Sequence, residues 1–164
     1  MGRYARWRQV VEAQGRRLHD ALRQVDEPDP LTGPPPSLNR LDALVEGFVA
    51  GQPVRWSLGG APRPLPEAVD VAAYRIIEEA LTDACRHAPG AAVAVRLRYD
   101  DQGITIEVRD DGGPPVEGAA RAGGGLPAVR RRVERVGGTL NAGPNPDGGF
   151  TVRAFLPAPE EAVG

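Results

Sequence analysis

Lysine is missing from this chain, and all 20 of its basic residues are arginine. A Walker-type phosphate loop needs a lysine to reach the phosphates, so any nucleotide site here must use other chemistry. The single cysteine, Cys85, excludes an internal disulfide and a zinc site built from cysteines. Its place in a helical apolar pattern reads as a small core residue. Aromatic residues make up only 5%, so a core must come from Val, Leu, Ile and Ala. No apolar run approaches the ~20 residues that a membrane span requires, and no leader pattern is visible. The expected location is cytoplasmic. A net charge of −2 gives no electrostatic grip on nucleic acid or on an anionic membrane.

What is present is enough for one domain. The chain has 164 residues, 41% of them hydrophobic, which allows an ordinary core plus a short extension. Residues 4–25 follow alternating three- and four-residue apolar steps (Tyr4, Trp7, Val11, Leu18, Ala21, Val25) and predict a helix. That stripe serves either as a homodimer seam or as a surface that docks on the domain. Residues 26–37 hold Pro28, Pro30, Gly33, Pro34, Pro35 and Pro36, and read as a linker.

The segment 38–157 reads as the domain proper. It has a short helix at 38–49, a strand at 53–58 and a long helix opened by Pro66. A hairpin follows, from 92–99 to 104–109. A Gly-, Pro- and Ala-rich loop spans 110–125. A helix runs from Leu126 to Val136 and stops at Gly137-Gly138, and a final hairpin pairs 139–142 with 150–156. The expected class is α+β, a mostly antiparallel sheet with helices on one face. Residues 158–164 form a tail.

Three segments carry possible chemistry. On the long helix, Glu79, Asp83, Arg86 and His87 fall on one face. Two carboxylates one turn apart repel, and a hard cation such as Mg²⁺ relieves that cost; a solvated face with an internal ion pair explains the same pattern. Asp110, with Gly112 after it, ends a strand. A carboxylate there can accept a hydrogen bond from an exocyclic amino group such as adenine's, or can simply make an Asp-Gly turn. Gly123, Gly124 and Gly125 precede the helix at Leu126. Glycines let backbone N–H groups approach an anion, and the helix N-terminus adds a favourable field; a flexible linker has the same composition.

The order and spacing of these segments resemble the ATP-binding domain of sensor histidine kinases, in the nitrate-sensor-like subfamily frequent in actinobacteria. The wider superfamily includes DNA gyrase, a heat-shock chaperone and a mismatch-repair ATPase. The helix from Tyr74 through Glu79-Ala80-Leu81-Thr82 to Arg86-His87-Ala88 is similar to the family's N box. Asp110 and Gly112 match its adenine box, Gly123, Gly125 and Leu126 its phosphate-side glycine box, and Gly148-Gly149-Phe150-Thr151-Val152 to Leu156-Pro157 its closing strand.

The resemblance implies a two-layer α/β sandwich of the Bergerat type and Mg²⁺-dependent transfer of the ATP γ-phosphoryl to a histidine. By it, Glu79 polarises the attacking group, Asp83 holds Mg²⁺, Asp110 reads adenine and Thr151 supports the adenine side. Gly123 and Gly125 approach the phosphates, and Arg86, His87, Gly112 and Leu126 are further ATP-binding positions. The implied partners are ATP or ADP and a response regulator or partner kinase.

Three departures bear on turnover. Asp83 stands where the N box usually has Asn, Pro114 stands where the adenine box often has Gly, and the lid up to Gly123 is short. They support an alternative, a non-catalytic module that binds nucleotide or a partner. His19-Asp20, with Gln24 four residues on, resembles the subfamily's phosphoacceptor motif. The helix that normally follows that motif is missing here. His19 is therefore either the phosphoacceptor or an incidental polar residue on the second helix of such a hairpin.

Overall fold

The computed structural model describes residues 36–49, 51–112 and 126–160. The expected helix at 4–25, nearly all of the linker and the 113–125 loop lie outside the described residues. A 3-10 turn (Leu38–Arg40) leads into α1 (Leu41–Val49), then β1 (Val54–Gly59), α2 (Glu67–His87), β2 (Val93–Tyr99) and β3 (Gly103–Asp110). Then come α3 (Leu126–Arg135), β4 (Thr139–Pro144) and β5 (Phe150–Pro157).

The strands form one sheet in the order β1-β2-β3-β5-β4. β1 and β2 are parallel, as a connection through α2 demands, and the other three pairings are antiparallel. Burial alternates along the strands. Val93, Val95, Leu97 and Tyr99 are buried, whereas Arg96 and Arg98 are exposed. One face therefore packs under the helices and the other is open. The class is α+β, a mixed and mostly antiparallel sheet with helices on one face.

Local chemistry sets the helix ends. Ser37 caps the first turn, its Oγ accepting from the Asn39 N–H at 3.2 Å; the helix expected over 38–49 thus begins with three residues of 3-10 turn. Pro66 is the N-cap of α2 rather than part of its first turn, with extended backbone (φ −52°, ψ 144°). The buried Gln52 closes the other end, its Nε2 donating to the Ala88 carbonyl at 2.8 Å. α3 ends in a Schellman turn: Gly138 N–H donates to Val133 O at 2.9 Å and Gly137 N–H to Glu134 O at 3.0 Å. Gly137 has φ +80°, the left-handed conformation this cap needs.

A buried carboxylate ties the entry of the domain to α2. Asp70 accepts from Ser37 Oγ–H at 2.6 Å and from Leu38 N–H at 2.9 Å. Burial pushes the Asp70 carboxyl above its ordinary value; the two hydrogen bonds pull the other way and Glu67 adds to the rise. Burial and the nearby Asp70 also push the Tyr99 phenol up.

The folded state therefore holds the Asp70 proton more tightly than the unfolded chain. That stability is complete in acid, below the unfolded value, and fades as pH rises through the folded one. Urea midpoints measured across this range should fall with pH in the parent and flatten in Asp70→Asn. An equal slope in both proteins contradicts the account. Asp70→Ala, which strands two buried donors, should cost about 2–4 kcal/mol.

Candidate functional site

The backbone gathers one end of the sheet around the C-terminal half of α2. Gln52, which caps α2, lies just before β1. Val93 N–H at the start of β2 donates to Pro53 O at 2.8 Å, and Asp111 N–H just past β3 donates to Ala92 O at 3.0 Å. Val93 is the register partner of Asp110, and Asp110 is the partner of Phe150. The end of β3, the start of β5 and the end of α2 therefore share one side of the fold. α2 also packs against β3, β5 and α3.

Glu79 and Asp83 project from this part of α2, one turn apart. Asp83 is buried, 5% exposed, and Glu79 is half-buried. His87 Nε2 lies 3.4 Å from Asp83 Oδ1. The expected acidic and basic face thus exists, with Asp83 and His87 in direct contact. Arg86 beside them is exposed.

Asp110 shares the helix-side face of β3 with Ile106 and Val108 and is 3% exposed. Its Oδ1 accepts from Gly112 N–H at 3.0 Å, an Asx turn that fixes the carboxylate at the strand end. Leu126 is buried and opens α3. Arg130 anchors that helix to β4, donating to the Leu140 carbonyl at 2.6 Å. Gly123, Gly125 and His19 lie outside the described residues.

One expectation needs correction. Thr151 does not stand beside Asp110. It pairs with Arg109, on the opposite, open face, and its hydroxyl donates to Asn145 Oδ1 at 2.6 Å. Phe150 is the residue on the Asp110 face, half-buried against the core. The alternation of Val152, Ala154 and Leu156 carries the signal, because it places Thr151 in step with Arg153. Gln52 and Asp70 were also missed, although an acid in register with Ala73, Ile77 and Ala84 on α2 is itself a marker. Cys85 is half-buried rather than buried, and burial pushes its thiol up, toward the unreactive protonated form.

The donor set fits a magnesium ion held jointly with a polyphosphate. Mg²⁺ takes oxygen ligands, commonly one or two carboxylates plus phosphates and waters, and Asp83 and Glu79 offer oxygen only. No cluster of three His, Cys, Asp or Glu side chains that would cage a metal occurs among the described residues. No helix among them is long and apolar enough to cross a membrane.

Buried acids at one end of a mixed sheet, beside a long helix and ahead of a glycine-preceded helix, define a nucleotide-binding α+β domain without a Walker loop. The family model described as histidine kinase-, DNA gyrase B- and HSP90-like ATPase matches residues 68–160. The chain belongs to this family, and it is an ATP-binding domain of the histidine kinase type. Sensor histidine kinase LnrJ of Bacillus subtilis is 32% identical over 122 residues, which cover 73% of this chain and 30% of LnrJ. Sensor histidine kinase YxjM of the same organism is 32% identical over 92 residues, 56% of this chain and 22% of YxjM. The chain thus spans under a third of these relatives.

Solved structures agree on the fold. The histidine kinase domain of the Erythrobacter litoralis EL346 blue-light activated kinase superposes with a TM-score of 0.55 at 22% identity, covering 71% of this chain and 56% of that one. The mycobacterial sensor histidine kinase MprB gives 0.53 at 21% identity, covering 74% and 92%.

Proposed function

We propose that this domain binds ATP between the C-terminal half of α2, the Asp110 end of β3 and the start of α3. Its γ-phosphoryl then passes to a histidine of this chain or of a partner, in two-component signalling. The observation that carries the reading is the placement of Asp83 and Asp110. Remote in sequence, both are buried at the same end of the fold. We take residues 38–157 as the ATP-binding unit, with 1–25 as a dimerising or phosphoacceptor helix and 26–37 as its linker.

Each residue has a role set by its chemistry. Asp110 accepts the amino hydrogen of adenine, with Gly112 fixing its orientation. Gly123, Gly125 and the N-terminus of α3 at Leu126 receive the phosphates through backbone N–H groups. Glu79 orients the attacking group and takes its proton. Asp83 would hold Mg²⁺, which neutralises phosphate charge when bound. His87 holds the Asp83 carboxylate in place, and Arg86 offers positive charge at the rim. His19 is the candidate acceptor within the chain, and a response regulator the downstream partner.

Incubation with γ-labelled ATP, with and without a response regulator, tests the reading. Acid-labile label on this chain or on the regulator is expected. No label on protein and no phosphate release would sink phosphotransfer. A second reading, regulation by occupancy alone, is favoured by the buried Asp83 in place of Asn and its contact with His87. On that reading ATP binds but label appears only in Asp83→Asn. Strong labelling by the parent excludes it.

A further inference from the structure

The two longer helices near the site end in different ways. α3 closes on its own backbone through Gly137 and Gly138. α2 has Ala88 as its C-cap, with φ −140° and ψ 57°. Pro89 follows it and has no N–H to offer the carbonyls of the last turn. A side chain from outside the helix supplies donors instead. Gln52 Nε2 donates to Ala88 O at 2.8 Å and lies 3.5 Å from Ala84 O. One amide NH₂ carries two hydrogens, one for each carbonyl. Ala84 and Ala88 directly follow Asp83 and His87, the pair in contact at 3.4 Å. Gln52, itself only 3% exposed, therefore grips the turn that presents Asp83.

The sheet in turn fixes Gln52. The carbonyl of Pro53, the next residue, accepts from Val93 N–H at 2.8 Å. Val54, Val93, Asp110, Phe150 and Pro144 form one row across the five strands. Asp110 belongs to that row, and Asp111 N–H ties the end of β3 to Ala92 O at 3.0 Å. The row that carries Asp110 thus also anchors the residue that holds the Asp83 turn. The side-chain bonds of Arg75 and Thr82 stay within α2, whereas that of Gln52 joins α2 to the sheet.

We infer, resting on the nucleotide site proposed above, that Gln52 is a positioning residue that sets the separation between Asp83 and Asp110. The nucleotide spans these two acids, with adenine at Asp110 and phosphate-bound Mg²⁺ at Asp83. Strand pairing holds Asp110 without help from Gln52. Asp83 stands on a helix turn that Gln52 ties down. Loss of the Gln52 donor therefore leaves base recognition in place and misplaces the metal ligand. Groups that orient a metal ligand from behind are worth about 10–100-fold in metal affinity or activity, and a shift of about 1 Å in such a site is enough to produce losses of that order. The Ala88 carbonyl is not stranded by the change, because Ala91 N–H also donates to it at 3.0 Å. The fold should therefore survive it.

The test uses the full chain and two variants. Gln52→Met keeps the length of the side chain and removes the donor; Gln52→Asn keeps an amide that is one methylene too short. NMR titration with adenosine reads the sheet side through the Gly112 amide. Calorimetry with ATP, with and without Mg²⁺, reads the helix side. Both variants should melt cooperatively and bind adenosine within about twofold of the parent, while the Mg²⁺-dependent gain in ATP affinity falls about tenfold. In an Asp83→Ala background, Gln52→Met should change ATP affinity less than about twofold, because the ligand it positions is gone. A folded variant that keeps the parental Mg²⁺ gain overturns the proposal. Equal losses of adenosine and ATP affinity, a Gln52→Met loss that persists beside Asp83→Ala, or unfolding of both variants would make Gln52 a residue of the fold alone and overturn it too. A parent that binds neither adenosine nor ATP overturns the nucleotide site itself, and the role of Gln52 with it.

Discussion

Gly149→Val should unfold much of the protein at temperatures where the parent is native. Gly149 has φ +85°, a left-handed conformation that costs a residue with a side chain about 1–3 kcal/mol. A Cβ there would also penetrate the Asp110 carbonyl oxygen, with further backbone of Asp110 and Asp111 just behind it. Backbone is not a flexible tip that can swing away, so β3 and β5 must part where Asp110 pairs with Phe150. The two terms together reach about 4 kcal/mol or more, at the exceptional end for a single substitution. They set that loss against a typical total of about 5–15 kcal/mol. A fall in melting temperature of more than about 10 °C is expected. Gly143→Ala is the control. Gly143 has nothing within 4 Å of its added Cβ and no positive φ, so its melting point should barely move. Equal stability of the two variants would contradict this account of the β3–β5 end.

The largest functional effect is expected at Glu79. Gln has the same shape as Glu and keeps the hydrogen-bonding oxygen, but cannot take a proton at neutral pH. Glu79 is half-buried on α2, so the exchange should leave the fold and the melting temperature intact. General-base assistance is worth about 10²–10⁴ in rate. Glu79→Gln should therefore bind ATP within about threefold of the parent and transfer label at least about a hundredfold more slowly. The split between binding and rate is the discriminating feature. Near-parental labelling would make Glu79 one residue of a solvated helix face. Loss of binding together with rate would make it a structural residue.

Much of the fold was legible because its signals are local. Alternation in Val93–Tyr99 and Gly103–Asp110, the Asp100–Gly103 turn between them, and Gly137-Gly138 after α3 each specify structure within a few residues. The strand order is a different matter. That β1 lies parallel to β2, and that β5 inserts between β3 and β4, depends on pairings between distant segments that no local pattern encodes. The positions of Asp83 on a helix and of Asp110 at a strand end were legible, because each depends on a single element. The site was misread at Thr151, because a residue type was matched before its sheet face was worked out. Asp70 was missed because its partners, Ser37 and Leu38, are more than thirty residues away.

The central claim is that adenine nucleotide is held by Asp110 and the acidic half of α2. Titration calorimetry with ATP, ADP and GTP, with and without Mg²⁺, tests it most directly when run on the parent and on Asp110→Asn. The parent should bind ATP and ADP and discriminate against GTP, which presents an oxo group where adenine presents an amino group. Mg²⁺ should tighten ATP more than ADP, because the γ-phosphate adds charge beside Asp83. Asp110→Asn should keep its fold and lose about tenfold or more in ATP affinity, since an amide oriented by the Gly112 N–H turns its NH₂ toward the base. Absence of heat with ATP and ADP in the folded parent, or equal ATP affinity in parent and variant, would contradict the account.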